Sequence, residues 1–443
     1  MTTLTDFAVL RQREFSRLDA TKSVYLDYTG AALYPESLVT RDAHRLTTLV
    51  MGNPHSDNSP SIMSMRAIET ARQLTLQFFD ADPADYDVVF TANASSAIRI
   101  LAEAFPFRKG SRLVMTADNH NSVNGLRLPA RRRHADVAHV PLDNNLRGVD
   151  PTPWLPANPL APSLFAYPAQ SNFSGVQHPL SWVATAQQRG YCVLLDAAGY
   201  APTNRLSLTD VRADFVAISY YKLFGYPTGV GALIARHNAV AQLRRGYFSG
   251  GTVQFVSLQN QMMRHKPGSE GFEDGTPNFL AMPAICDGLN WLTEVGMRGI
   301  ENHITALTDK LLKGFGRMGE RIRIYGPRES HARGGTIAFN LYRSGELLTF
   351  EAVEAAARER GIAIRGGCFC NPGAAEKAFG LQAVRARACL QGEFTISRFR
   401  ACLGGAVGAV RTSVGIATND SDLDALLEFA SLMTDAADDV LVA

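Results

Sequence analysis

Cysteine is scarce in this chain, with six in 443 residues. That count excludes a disulfide-built scaffold and points to a reducing compartment, the cytoplasm. Long apolar runs are missing too. The best candidate, 401–410, is about half the length a bilayer requires and is rich in glycine, so no transmembrane span is expected. The opening residues mix charges early and lack an apolar core segment, which argues against a secretory signal. Neither sign of charge dominates: 44 basic residues against 42 acidic ones leave a formal net charge of +2. Such a surface offers no broad field for nucleic acid or an anionic membrane, and the cluster Arg131-Arg-Arg-His134 reads as a solvated helix face or turn. There is no internal repeat and no low-complexity linker.

What is present is an ordinary globular composition, 46% hydrophobic and 19% charged, long enough for a large core and two or three domains. From Tyr25 to about Arg236, short apolar runs alternate with helical segments. The runs are 87–91, 112–116, 163–167, 191–195 and 215–218, an α/β signature with a mainly parallel sheet. Ser59-Pro60 reads as the cap and first turn of a helix ending near Phe79, with Ile62, Met65, Ile68 and Leu74 at helical spacing. After about residue 290 a smaller α+β unit begins. It is expected to hold a helix from Trp291 through the 310s, strands at 336–340 and 362–365, a helix near 350–360 and a closing helix at about 421–433.

The chemistry gathers at the ends of the apolar runs. Lys222 follows 215–218 within Ser219-Tyr-Tyr-Lys222-Leu-Phe-Gly225. A lysine there is costly to leave charged and unpaired, so either its pKa falls or a covalent partner takes up the amine. Asp196 ends the preceding run, and ligands collect at the carboxyl ends of such strands. It suits a cationic partner such as a protonated pyridine nitrogen, although an aspartate there can also cap the next turn. The small residues 92–96, between a strand and a helix, can bind an anion through backbone N–H groups or form a plain connecting turn. His120 offers an imidazole able to stack on a flat ring. In the loop 365–375, Cys368 and Cys370 lack the two further ligands zinc would need, so no metal is expected. Asn371 and Pro372 read as an N-cap and first helical residue, which places Cys370 just outside a helix N-terminus, where a thiol's pKa falls. Cys368 is the runner-up nucleophile, and Cys192, Cys286, Cys389 and Cys402 read as structural.

These residues resemble the class V pyridoxal-phosphate enzymes of fold type I, more narrowly the cysteine desulfurases and the desulfurase domain of molybdenum cofactor sulfurases. The shared motifs are 219–233 around the lysine, Ala166 to Gly175, Phe272 to Phe279, Gly367 to Ala374 and Val410 to Gly415. The resemblance implies a large cofactor domain at 25–290 and a small domain at 291–443, with 1–24 packing on the small domain. It implies that Lys222 carries the cofactor, Asp196 pairs with its ring nitrogen, His120 stacks on the ring, and Asn172 lies near the ring hydroxyl. Ala94, Ser95 and Ser219 would hold the phosphate together with Thr252 from a second subunit, hence a homodimer. Arg411 would bind the substrate carboxylate.

The expected reaction converts L-cysteine to L-alanine and leaves a persulfide on Cys370 for a sulfur-acceptor protein or cofactor. Rivals on the same scaffold are an aminotransferase, a C–S lyase and a selenocysteine lyase; a rival of another class is a non-catalytic sulfur carrier. Two positions depart from the commoner desulfurase pattern. Tyr221 stands where many have histidine, and Gly199 where many place a glutamine against the ring hydroxyl.

Overall fold

The computed structural model describes residues 5–435 apart from 392 and 394, so the ends of the expected 1–24 and 291–443 segments lie outside the described residues. Its main sheet has seven strands. In chain order they are β1 (Tyr86–Thr91), β2 (Arg112–Thr116), β3 (Asp136–Val140), β4 (Ser163–Pro168), β5 (Tyr191–Asp196), β6 (Phe215–Ser219) and β7 (Gly231–Arg236). Across the sheet they run β1-β7-β6-β5-β4-β2-β3, with β7 antiparallel to both neighbours and the remaining pairs parallel. The central runs are apolar throughout because both faces are covered. Val193 and Leu195 of β5 enter one apolar cluster while Leu194 enters the other, and β6 divides in the same way.

A smaller antiparallel sheet follows: β8 (Ile322–Tyr325), β9 (Thr336–Arg343), β10 (Arg365–Gly367) and β11 (Ala409–Ser413), ordered β8-β9-β11-β10. The expected strand at 362–365 is thus two pieces. Ile362–Ala363 pairs with Val24–Tyr25, and β10 begins at Arg365. The expected helix from Trp291 is likewise two, Met282–Val295 and Met297–Gly316, because Gly296 turns the chain with φ +88°. Residue 290 falls inside the first of them. The helix Ser59–Phe78 is capped by Asn58 rather than Ser59, its side chain accepting the N–H of Ser61.

The N-terminal helix Phe7–Glu14 is tied to later elements. Phe7 stacks on His303 at 4.1 Å, and the buried Arg11 pairs with Asp422 at 2.5 Å. Cys192 and Cys286 are half-buried free thiols, pushed up to about 12 and about 11 by burial, as suits the structural reading. Cys389 and Cys402, read from the sequence only as structural, are paired with each other. The helices Ala383–Cys389 and Ile396–Leu403 fold back on each other, and the two sulfurs form a disulfide.

One glycine decides where the site sits. Gly225 ends the short helix Tyr220–Phe224 with φ +80°, and a Cβ there would lie 2.4 Å from the N of Tyr34 and 2.6 Å from the C of Leu33. Gly225→Ala is expected to cost at least about 1–2 kcal/mol from backbone conformation alone. Denaturant unfolding followed by circular dichroism checks this; an unchanged midpoint would contradict it.

Candidate active site

The carboxyl ends of β1, β2, β4, β5 and β6 open onto one edge of the sheet, and the sequence-expected residues collect there. Gly231, the first residue of β7, pairs with Thr91 on one side and Ser219 on the other. This register sets the turn after β1 beside the end of β6, so the Ala94 N–H donates to Ser219 Oγ at 2.9 Å. A side chain at Gly231 would strike Asn93 at 2.5 Å. Asn93 caps the helix Ala94–Ala104, and Ser95 Oγ lies 2.5 Å from Ser122 Oγ. A helix start ringed by three hydroxyls is the anion-binding arrangement.

Asp196 is 8% exposed and accepts the Ala198 N–H at 3.1 Å, which leaves its carboxylate directed at the crevice by its own turn. Lys222 is positioned by its helix. Tyr220 is buried with its hydroxyl 2.7 Å from Thr75, and Phe224 is buried against Gly288. Lys222 as a residue is half-buried and lines a cavity with Thr29, Gln170 and Thr336. Burial pushes its pKa below the ordinary lysine value; Asp196 pulls it up, while Arg411 and Arg365 push it down further. The net shift is downward, the direction that makes the amine a better nucleophile.

His120 stands on the loop after β2. Its Nδ1 accepts the Ser122 N–H at 3.2 Å, which assigns the proton of the neutral ring to Nε2. Burial holds the imidazole below its ordinary pKa against the opposing pull of Asp196. The loop is anchored by a buried pair, Asp118 and His178, at 2.8 Å. Thr252 is not brought to these residues within one chain. Its hydroxyl donates to Ser249 O at 2.9 Å inside its own turn.

The cysteine loop joins the same edge. Phe369 and Cys370 both have φ +55°, a strained conformation for residues with side chains, and both cysteines of the loop are exposed. The Cys370 carbonyl accepts the Asn121 N–H at 2.7 Å, binding the loop to the neighbour of His120. Asn371 caps the helix Pro372–Phe379 as expected. Asn172 is bonded within the chain to the cysteine loop. Its amide donates to Phe369 O at 2.7 Å and accepts from Asn371 at 2.9 Å, because the loop folds directly over it.

Arg411 is 3% exposed. It donates to Asn172 O at 3.0 Å and to Asp27 Oδ1 at 2.8 Å, and its guanidinium lies 4.8 Å from the centre of the Phe369 ring. Burial lowers its pKa; Asp27 and Cys370 are among the groups that oppose this. Asp27 also takes Arg365 at 2.7 Å, and so bridges two arginines. Sequence reasoning missed Asp27 and Ser122. Asp27 carried a usable signal, since Val24-Tyr-Leu26 before it is a short apolar run ending in a carboxylate, the same pattern that marked Asp196.

The family model described as aminotransferase class-V matches residues 24–426. Molybdenum cofactor sulfurase from Homo sapiens is 35% identical, the match covering 95% of this chain and 50% of that protein. The Solanum lycopersicum molybdenum cofactor sulfurase is 34% identical, over 95% of this chain and 56% of its own length. The chain thus spans about half the length of the curated relatives it matches. Among solved structures, the apo cysteine desulfurase from Thermococcus onnurineus NA1 superposes with a TM-score of 0.81 at 23% identity, covering 98% of this chain and 99% of that one. That similarity establishes the fold.

The depressed amine gives a direct test. Acylation of Lys222, read by mass analysis of its peptide across pH, should reach half its maximum below the ordinary lysine pKa. Asp196→Asn should move that point lower still, because Asp196 is the group that stabilises the ammonium. A midpoint at the ordinary value, or a shift upward in the variant, would contradict the assignment.

Proposed function

The chain belongs to the aminotransferase class-V family, and from that premise we propose that it is a cysteine desulfurase, a sulfurtransferase converting L-cysteine to L-alanine with the sulfur left on Cys370. The cofactor of this enzyme is pyridoxal 5'-phosphate. The residues present fit it. The Ala94 and Ser95 turn with Ser219 and Ser122 suits the phosphate, Asp196 suits a protonated ring nitrogen, His120 suits the ring face, and the Lys222 amine, its pKa lowered by burial, suits its carbonyl. When bound, the cofactor stores the electron pair released as a substrate Cα–H bond breaks.

The chain's own residues do the rest. Arg411 binds the substrate carboxylate, and its bonds to Asn172 O and Asp27 Oδ1 orient the guanidinium. Lys222 takes the Cα proton and returns a proton as the product forms. The Cys370 thiolate attacks the substrate sulfur, so that an S–S bond forms as the C–S bond breaks. Free cysteine plus the Cys370 thiol gives alanine plus the Cys370 persulfide, with no other reactant. The sulfur then passes to an acceptor protein or cofactor.

The observation that carries this reading is the fastening of an exposed thiol loop to the amino-acid site itself, through Asn121 to the His120 loop and through Phe369 to Arg411. An aminotransferase has no use for that loop. The reading extends to a cytoplasmic homodimer in which Thr252 completes the second copy's phosphate site. In support, Thr252 leads into an exposed hairpin, Val253–Ser257 with Met262–His265, whose Phe255 and Met262 are 58% and 62% exposed. The chain divides on this reading near Gly296 into a cofactor domain and a small domain, with the N-terminal helix packed on the latter.

Cys370→Ala is expected to keep the coloured cofactor and its spectral response to L-cysteine while persulfide formation, read by mass, is lost. Lys222→Ala should lose covalent cofactor attachment, checked by borohydride reduction followed by peptide mass. Persulfide formed at the normal rate by the Cys370 variant would overturn the assignment of the nucleophile.

A further inference from the structure

Asn371 does more than its place in the sequence requires. As an N-cap it needs only its Oδ1, which accepts the Ala374 N–H at 3.2 Å. Its Nδ2 makes two further bonds, to Asp118 O at 2.7 Å and to Asn172 Oδ1 at 2.9 Å. The side chain is wholly buried. The orientation is forced by its neighbours: exchanging O and N would set an oxygen against two acceptors and a donor against the Ala374 N–H.

Those two bonds reach the two segments that flank the chemistry. Asp118 begins the loop carrying His120, and that loop returns a bond from Asn121 N to Cys370 O at 2.7 Å. Asn172 sends its amide to Phe369 O at 2.7 Å and its carbonyl to Arg411 at 3.0 Å. Phe369 and Cys370, both at φ +55°, are therefore held from either side by groups that Asn371 ties together. A thiol on an exposed, strained loop needs such an outside constraint to stay within reach of one atom of a bound substrate.

We propose that Asn371 is a positioning residue for sulfur transfer: its amide N–H groups lock the Cys370 loop to the ring-stacking loop and to Asn172, so that the thiol and the carboxylate-binding arginine are placed as one unit. The inference rests on the desulfurase reading for its kinetic consequence, but the lock itself is a statement about the chain alone.

Two substitutions separate the lock from the cap. Asn371→Ser and Asn371→Asp both retain an oxygen for the Ala374 N–H; the serine is too short to reach both acceptors, and the aspartate has no N–H to donate. In full-length protein loaded with pyridoxal phosphate, persulfide formation on Cys370 should slow about tenfold or more in both variants. Cofactor absorbance and the concentration of L-cysteine giving half the spectral response should change less than the persulfide rate does, because Arg411 keeps its bond to Asp27. Hydrogen exchange should quicken in the peptides covering 117–124 and 366–371 in both variants, with or without cofactor, while the helix 372–379 keeps its protection. A residue serving only as a cap would give parent-like behaviour in both variants. Unchanged exchange in 117–124 would overturn the lock, and faster exchange with an unchanged persulfide rate would overturn the positioning role. If the parent chain forms no persulfide at all, the desulfurase reading fails, and the exchange measurement still decides whether the lock exists.

Discussion

The amine of Lys222 is held where burial opposes its charge, and the rest of the site is organised around that cost. Only a sheet covered on both faces provides such a place, and the seven-stranded sheet does so by sending alternate residues of β5 and β6 into separate apolar clusters. The same strands deliver Asp196 and Ser219 to the sheet edge in register, with Asp196 opposite Ala217 on the neighbouring strand. A lysine placed there is chemically useful because its neighbours are cationic as well. Arg411 and Arg365 work against its protonation, and Asp27 absorbs much of their charge through its two oxygens.

That charge arrangement explains why the two sheets must meet. Arg411 lies on β11 of the small sheet, Asp27 on the chain that precedes the large one, and Arg365 opposite Arg411 on β10. The carboxylate of a substrate would enter a site whose guanidinium is already oriented and only 3% exposed, so little ordering remains at binding. The cysteine loop is built onto this frame through the Phe369 ring beneath Arg411, not through the covalent chain alone. Lys222, at the end of the large sheet, and Cys370, on the loop beside the small one, thus meet around one arginine.

Much of this was legible in the sequence because it rests on short-range patterns. Apolar runs ending in Asp196 and Lys222, the small residues before the helix Ala94–Ala104, and the Asn371-Pro372 cap are each set by residues within a few positions of one another. What was hidden depends on contacts across the chain. The break at Gly296 needs tertiary packing to favour a turn over a continuous helix, and the Cys389–Cys402 disulfide needs the helices Ala383–Cys389 and Ile396–Leu403 to lie against each other. The bonds of Asn172 to Phe369 and Asn371 join segments almost two hundred positions apart. The motif residue Glu273 is similar. It accepts the Phe90 N–H at 2.8 Å and pairs with Arg72, a fastening of the β1 edge that no local pattern reveals.

The central claim is that this chain moves the sulfur of cysteine onto Cys370 instead of eliminating it. Product analysis after L-cysteine is added to the cofactor-loaded chain tests that most directly, with no external thiol present. The account expects alanine and Cys370-bound persulfide in equal amounts. Pyruvate, ammonia and free sulfide, with Cys370 unmodified, would contradict it.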